Sequence, residues 1–225
     1  MIDRLVTIHS DRFREDAVHV AVSCLKSSAV VVHPTETVHG YGSRYDSLEA
    51  FKRICMLKGR PQDKPMILLV PGPEWVNRLC RDVPGAAWKL IESFWPGPLT
   101  IVLQAVEKLC PWQAHTVALR QSAHPFTLRV LRELGLPIVS TSLNRSGDRV
   151  PSNPCEYLEN LAGNKNLEPG CRIELAVIDK ALTGCETLPS TVVSLAGEKG
   201  IHLIRQGVLP ISELKKKTGI RQIEP

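Results

Sequence analysis

The stretch from Val30 to Val70, VVVHPTETVHGYGSRYDSLEAFKRICMLKGRPQDKPMILLV, constrains the chain more than any other. It reads as a buried strand (Ala29 to His33), a Pro-Thr turn, a glycine-spaced loop, a helix (Ser47 to Leu57), a basic turn and a second buried strand (Met66 to Val70). Both strands are short apolar runs bounded by chain breakers. Ser47 is a good N-cap, because its hydroxyl can accept from an unpaired first-turn N–H, and Leu48, Phe51, Ile54 and Cys55 line one helix face. The connections deliver the Thr35 and Thr37 hydroxyls and the Lys58, Arg60 and Lys64 cations to neighbouring loops. Hydroxyls, backbone N–H groups and clustered cations are what a polyphosphate needs.

Along the rest of the chain, Ser10 or Asp11 can cap a first helix running to about Ser27, with Phe13, Ala17, Val20, Ala21, Cys24 and Leu25 as its buried stripe. Glu74 to Arg81 and Gly85 to Phe94 read as short helices. Trp95-Pro-Gly-Pro then turns the chain into a strand from Leu99 to Gln104. His115 to Leu119 is a further strand. Pro125 to Leu134 is helical, stopped by Gly135 and Pro137. Pro137 to Thr141 is a strand, and Pro154 to Ala162 a short helix. Leu175 to Asp179, Thr191 to Leu195 and Gly200 to Ile204 are strands, and Ile211 to Thr218 is a last helix. The loop from Gly163 to Arg172 is the most polar and is expected to be the most mobile. This order mixes βαβ units with consecutive strands, so the expected class is α/β with a mixed sheet.

At 225 residues the chain has room for one large domain or two small ones. No composition shift or repeat marks a boundary, which favours one domain over 1–225. Apolar residues at 43% and charged residues at 23% describe an ordinary globular protein. No apolar run reaches the ~18 residues of a membrane span, and the charged N-terminus does not resemble a secretory signal. Seven scattered cysteines without a C-x-x-C pair read as reduced thiols of a cytoplasmic protein. The net charge of +5 mildly favours anionic partners, leaving nucleic acid an open contact.

Taken by residue type alone, each candidate has a bland reading beside the functional one. Lys58, Arg60 and Lys64 suit a triphosphate and its pyrophosphate leaving group, or a solvated helix end where cations favour the macrodipole. Thr35 and Thr37, at i and i+2 on an extended segment, face one side and can line a polar pocket or simply build a turn. Arg120 ends an apolar strand, where its guanidinium suits a carboxylate or a rim salt bridge. Ser140, Ser142 and Asn144 follow a buried strand, the place where phosphate and nucleotide sites form, or an ordinary Ser/Asn turn. His33, His39 and His124 follow no metal-ligand spacing, so no metal site is expected. With no Walker loop, Ser-His-Asp triad or paired carboxylate motif, chemistry here would rest on positioning and charge neutralisation.

PTETVHGYG and KGRPQDKP are followed in order by WPGPLT (Trp95 to Thr100), TVALR (Thr116 to Arg120), STSLNRSG (Ser140 to Gly147), PSTVV (Pro189 to Val193) and IRQG (Ile204 to Gly207). Together, over about Val30 to Val208, they resemble the YrdC-like family of threonylcarbamoyl-AMP synthases. The resemblance implies a single YrdC-like domain, a twisted mixed parallel and antiparallel sheet flanked by helices around a basic concave groove. Some family members carry a second C-terminal domain, and this chain is expected to lack it.

The implied reaction joins L-threonine, bicarbonate (or CO2) and ATP into threonylcarbamoyl-AMP with release of pyrophosphate, the first step of t6A formation in tRNA. Mg2+ would accompany the ATP, held by phosphates more than by protein. On the family pattern Lys58, Arg60 and Lys64 carry catalysis. Arg60, Lys64, Thr116, Ser142, Asn144 and Arg205 contact ATP, and Thr35, Thr37, Arg120, Ser140 and Ser190 contact L-threonine. A downstream threonylcarbamoyl transferase acting on tRNA is the implied partner, with a weak contact to tRNA or double-stranded RNA and none to membrane. The chain departs from the pattern at His39 (usually Tyr), Tyr41 (usually Leu), Arg44-Tyr45, Leu69 (His in some relatives), Gln121-Ser122 (usually containing Pro) and Lys180-Ala181. Two rival readings are a paralogue adenylating another carbamate or carbamoyl phosphate, as in the hydrogenase-maturation carbamoyltransferase module, and a non-catalytic RNA-binding module.

Overall fold

The computed structural model describes residues 2–9, 12–106, 115–164, 170–184, 188–197 and 200–224. In chain order the elements are β1 (Leu5–Ile8), α1 (Glu15–Lys26), β2 (Val31–His33), β3 (Gly40–Arg44), α2 (Leu48–Lys58), β4 (Ile67–Leu69), α3 (Glu74–Leu79), α4 (Gly85–Phe94) and β5 (Leu99–Gln104). They continue with β6 (Thr116–Arg120), α5 (Pro125–Leu134), β7 (Ile138–Ser142), α6 (Pro154–Ala162), β8 (Leu175–Asp179), β9 (Thr191–Ser194), β10 (His202–Arg205) and α7 (Ile211–Thr218). The strands form one sheet in the order β1-β8-β2-β3-β7-β4-β6-β5-β9-β10. Neighbours pair in parallel at β1/β8, β8/β2, β4/β6 and β5/β9 and antiparallel elsewhere, which is the mixed sheet expected.

The inner strands β2, β4 and β8 are almost wholly buried because helices cover both sheet faces there. Alternation sorts them. Val31, Leu69, Ile138, Leu175 and Val177 face the layer of α1 and α5, while Val32, Leu68, Val139, Ala176 and Ile178 face the layer that holds α2, α3, α4 and α7. Phe13 and Phe126 meet edge to face at 5.3 Å and lock the first layer. In the second, Phe51 and Ile54 of α2 are fully buried, each contributing roughly 1.5–3 kcal/mol by leaving water. Ser47 caps α2 by accepting from Ala50 N at 3.3 Å, and Gly59 ends it in the left-handed conformation with φ 57°.

Three expectations change. Helix α1 begins at Glu15 with Arg14 as N-cap, and its buried positions are Ala17, Val18, Ala21, Val22 and Leu25. Ser10, Asp11 and part of the Gly163 to Arg172 loop (165–169) lie outside the described residues. An edge strand, β1, precedes α1. The segment expected to be a glycine-spaced loop contains a central strand, β3. Its glycines serve close approach rather than turning: a Cβ on Gly40 would stand 2.8 Å from Thr141 O, and one on Gly42 would stand 2.8 Å from the His33 ring.

Candidate active site

A cavity of about 510 Å³ opens where β4, β6 and β7 lie side by side. It gathers Thr35, Thr37, Arg60, Arg120, Ser140, Ser142, Asn144, Ser190 and Arg205, with Met66, Ile67, Leu69 and Val192 as apolar wall. Three of the expected residues stand outside the lining. Lys64 is exposed in the basic turn, and Thr116 sits at the opposite end of β6 from Arg120, roughly 13 Å away at strand rise. Lys58 is buried behind the wall.

Arg120 ends β6 pointing at the Thr35–Thr37 turn. Its Nη1 and Nη2 both donate to Thr37 Oγ1 at 3.1 Å, and Nε donates to Gly97 O at 3.2 Å. The Trp95-Pro-Gly-Pro turn therefore serves the site: it presents that carbonyl, and Gly97 N donates to Gln121 O at 2.8 Å. Thr35 gives its proton to Val38 O at 2.6 Å. The 2.8 Å contact between the two threonine oxygens must then be Thr37 donating to Thr35. This is the turn-building role for Thr35, with Thr37 as the cradle of Arg120.

Glu36, between them, brings Oε1 to 2.7 Å of Arg120 Nη2, yet that buried oxygen receives no hydrogen bond. Its other oxygen accepts from Ser122 Oγ at 2.6 Å. Burial works to raise the Glu36 carboxyl, but Arg120 and the Ser122 hydroxyl more than offset it and hold it below the usual carboxylate range. Sequence reading missed Glu36 as a site residue. The departure at Gln121-Ser122 was the available signal, since Ser122 replaces a proline that could hold nothing.

Lys58 differs from the expected phosphate-gripping cation. Its Nζ donates to Ser142 O at 2.6 Å, Asn144 O at 2.8 Å and Asn144 Oδ1 at 3.0 Å, which uses all three protons on the 142–144 loop. Burial, with Arg60 nearby, brings its pKa down to about 8. Ser142 Oγ donates to Asn144 Oδ1 at 2.5 Å, and Asn144 Nδ2 donates to Asp148 O at 2.7 Å. The loop is thus shaped from behind by a lysine.

Arg60 follows Gly59. Its Nη2 donates to Pro65 O at 2.7 Å, while Nε is buried without a hydrogen-bond partner. On the opposite wall Arg205 donates to Ser190 O through Nε and Nη2, at 3.2 and 3.0 Å. Ser190 Oγ lies 2.8 Å from Thr100 Oγ1. Burial lowers the pKa of both arginines, and the like charge of Arg120 adds to the effect on Arg205. Three guanidinium groups thus line one cavity, and no carboxylate does among the described residues. Such a wall is suited to a polyanion together with a smaller anion.

Behind the wall lies a histidine group. Asp179 N donates to His39 Nε2 at 3.0 Å, and Asp179 Oδ2 accepts from His124 Nε2 at 3.0 Å. Burial takes His39 down to about 4, so it is neutral near pH 7. The departure at His39 is therefore a buried acceptor for the end of β8. Asp179 Oδ1 also accepts from Ala181 N at 2.9 Å and starts a short 3-10 turn, Lys180–Leu182, in the segment that departs from the family pattern.

The Sua5/YciO/YrdC family model, described as "Telomere recombination", matches residues 23–207. A threonylcarbamoyl-AMP synthase of Pyrococcus abyssi is 32% identical over 221 residues, covering 96% of this chain and 61% of that protein. One of Escherichia coli O1:K1 is 32% identical over 187 residues, covering 78% of this chain and 96% of that protein. The crystal structure of P. abyssi Sua5 complexed with L-threonine superposes with a TM-score of 0.80 at 32% identity, over 98% of this chain and 62% of that one. The chain thus spans about three fifths of the archaeal relative and nearly all of the bacterial one. The order of the motifs, the mixed sheet and these likenesses agree: the chain belongs to the Sua5/YciO/YrdC family.

Proposed function

We propose that the protein forms threonylcarbamoyl-AMP from L-threonine, bicarbonate or CO2 and ATP, releasing pyrophosphate, as a nucleotidyltransferase supplying tRNA modification. The observation that carries this reading is the cavity lined by Arg60, Arg120 and Arg205, with no carboxylate among its described lining residues, beside the lysine-shaped Ser142–Asn144 loop. Arg120, held over Thr37, faces the amino-acid carboxylate. Arg60, with an N–H to spare, and the exposed Lys64 meet the triphosphate. Ser142, Asn144 and Arg205 meet the rest of the nucleotide.

The amino nitrogen bonds to CO2 and loses a proton to give a carbamate. A carbamate oxygen then attacks the α-phosphorus as its bond to pyrophosphate breaks, and negative charge grows on the leaving group beside Arg60. Among the described residues the lining offers a cation hydroxyls and an amide but no carboxylate, so Mg2+ would enter on the phosphate oxygens and supply charge neutralisation there. The experiment is incubation with ATP, bicarbonate and a panel of amino acids, with the adenylate identified by mass. A threonylcarbamoyl adenylate is expected. A different adenylate would favour the paralogue, and ATP left intact would favour the RNA-binding module.

A further inference from the structure

We infer that His33, acting through Ser140, makes this cavity a reader of the amino nitrogen of an α-amino acid. The inference rests on the amino-acid reading above and adds a positioning residue that no motif points to.

His33 ends β2 and is 4% exposed, its ring pressed against Gly42. Nδ1 lies 3.3 Å from Pro34 O, and a carbonyl can only accept, so Nδ1 carries the ring proton. Nε2 is then bare. It lies 3.2 Å from Ser140 Oγ and can only accept the serine's single proton. Burial is the main cause that lowers His33 to about 4, and His39, His124 and Arg120 all oppose its protonation. The imidazole is therefore neutral near pH 7, and the Ser140 proton stays turned into the protein.

Ser140 Oγ is left with lone pairs for the cavity. Thr37 is polarised the same way, giving its proton to Thr35 and its lone pairs to Arg120. The wall therefore presents a fixed cation, Arg120, and a fixed acceptor, Ser140. A phosphate or carboxylate oxygen would meet repulsion at Ser140, whereas an N–H is welcome there. An α-amino acid carries its carboxylate and its N–H donors on adjacent atoms, and the carbamate made from it still keeps one N–H.

The test is calorimetry with L-threonine on the wild type, Ser140→Ala, His33→Phe, His33→Gln and the Ser140→Ala/His33→Phe pair, with ATP binding measured on each. His33→Phe and Ser140→Ala are each expected to weaken threonine about tenfold or more, with the pair no weaker than either alone and ATP affinity retained. His33→Gln, whose Oε1 can stand in for Nε2 as acceptor, should stay within about threefold of the wild type. Multiplying losses in the pair, a Gln variant as weak as the Phe variant, or undiminished threonine binding in Ser140→Ala or His33→Phe would overturn the assignment. A wild type that binds threonine but fails these tests refutes only this inference. A wild type that binds no α-amino acid refutes it together with the reading beneath it.

Discussion

Arg120 and Glu36 approach to 2.7 Å, yet the η N–H groups of the arginine point at Thr37 Oγ1. The carboxylate thus balances charge without orienting the guanidinium, and the hydroxyl orients it. Arg120→Ala should then have two separable effects. It leaves a buried carboxylate without its cation, at a cost of about 3–5 kcal/mol in folding stability. A Glu36→Gln change made in the same chain should recover much of that cost, as measured by urea unfolding. Threonine binding should fall more than ATP binding and should not recover in the double variant, since the lost contact is charge-assisted and worth on the order of 2–3 kcal/mol. Equal losses for the two ligands would remove Arg120 from the carboxylate role.

Arg60→Ala tests the phosphate role. The buried, unpartnered Nε leaves that guanidinium free to strengthen its hold as charge moves onto pyrophosphate. The substitution should lower kcat for adenylate formation by roughly 10²–10³ while raising the KM for ATP less. Arg60→Lys should recover little, because a point charge cannot reproduce a planar two-donor grip. A folded Arg60→Ala protein that turns over at full rate would refute the role.

Lys58→Met keeps the unbranched chain, one atom shorter, and removes its three donors. Ser142 O and Asn144 O then lose their buried partner, at a cost of about 1–3 kcal/mol for each unsatisfied group. Thermal unfolding should show the loss, and the KM for ATP should rise because the loop relaxes. Wild-type stability with reduced kcat alone would instead restore Lys58 to the direct phosphate contact expected from its motif.

Acid should destabilise the fold through its histidines. His33 and His39 titrate near 4 when folded and near 6.5 when unfolded, so the native state binds fewer protons between those values. Their contribution is complete above about pH 6.5 and is lost as pH falls toward 4, with a slope approaching about 1.4 kcal/mol per pH unit for each. Glu36, held below its ordinary value, extends the loss at lower pH. Urea midpoints from pH 4 to 8 in the wild type and in His39→Gln would read the slope, which the variant should reduce.

Helix ends and buried strands were legible because their signals are local. Ser47 with Gly59, Pro125 with Gly135, and the runs Leu99–Gln104 and Leu175–Asp179 declare themselves within a few residues. Strand β3 was hidden because its glycines answer to Thr141 and to the His33 ring, neighbours that only the finished sheet supplies. Strand β1 escaped because half of its residues are exposed at an edge and its partner, β8, is far along the chain. In the site, motif positions located the arginines and the serine–asparagine loop. The direction each proton points was not legible: whether Lys58 faces ligand or loop depends on carbonyls more than eighty positions away.

The walls of the cavity have a temporal consequence. Thr35 and Thr37 come from the turn after β2, Arg60 from the turn after α2, Arg120 from β6, Ser190 from the residue before β9 and Arg205 from β10, with β9 paired to β5 and β10 to β9. During synthesis the side built by Thr37, Arg60 and Arg120 emerges long before the wall built by Ser190 and Arg205, so a nascent chain has no complete pocket until β10 has paired. Ligands that need the whole pocket recognise only finished molecules and draw the population toward them. ATP and threonine should therefore raise the unfolding temperature of the sheet as a unit, and protect β2 and β10 from hydrogen exchange together.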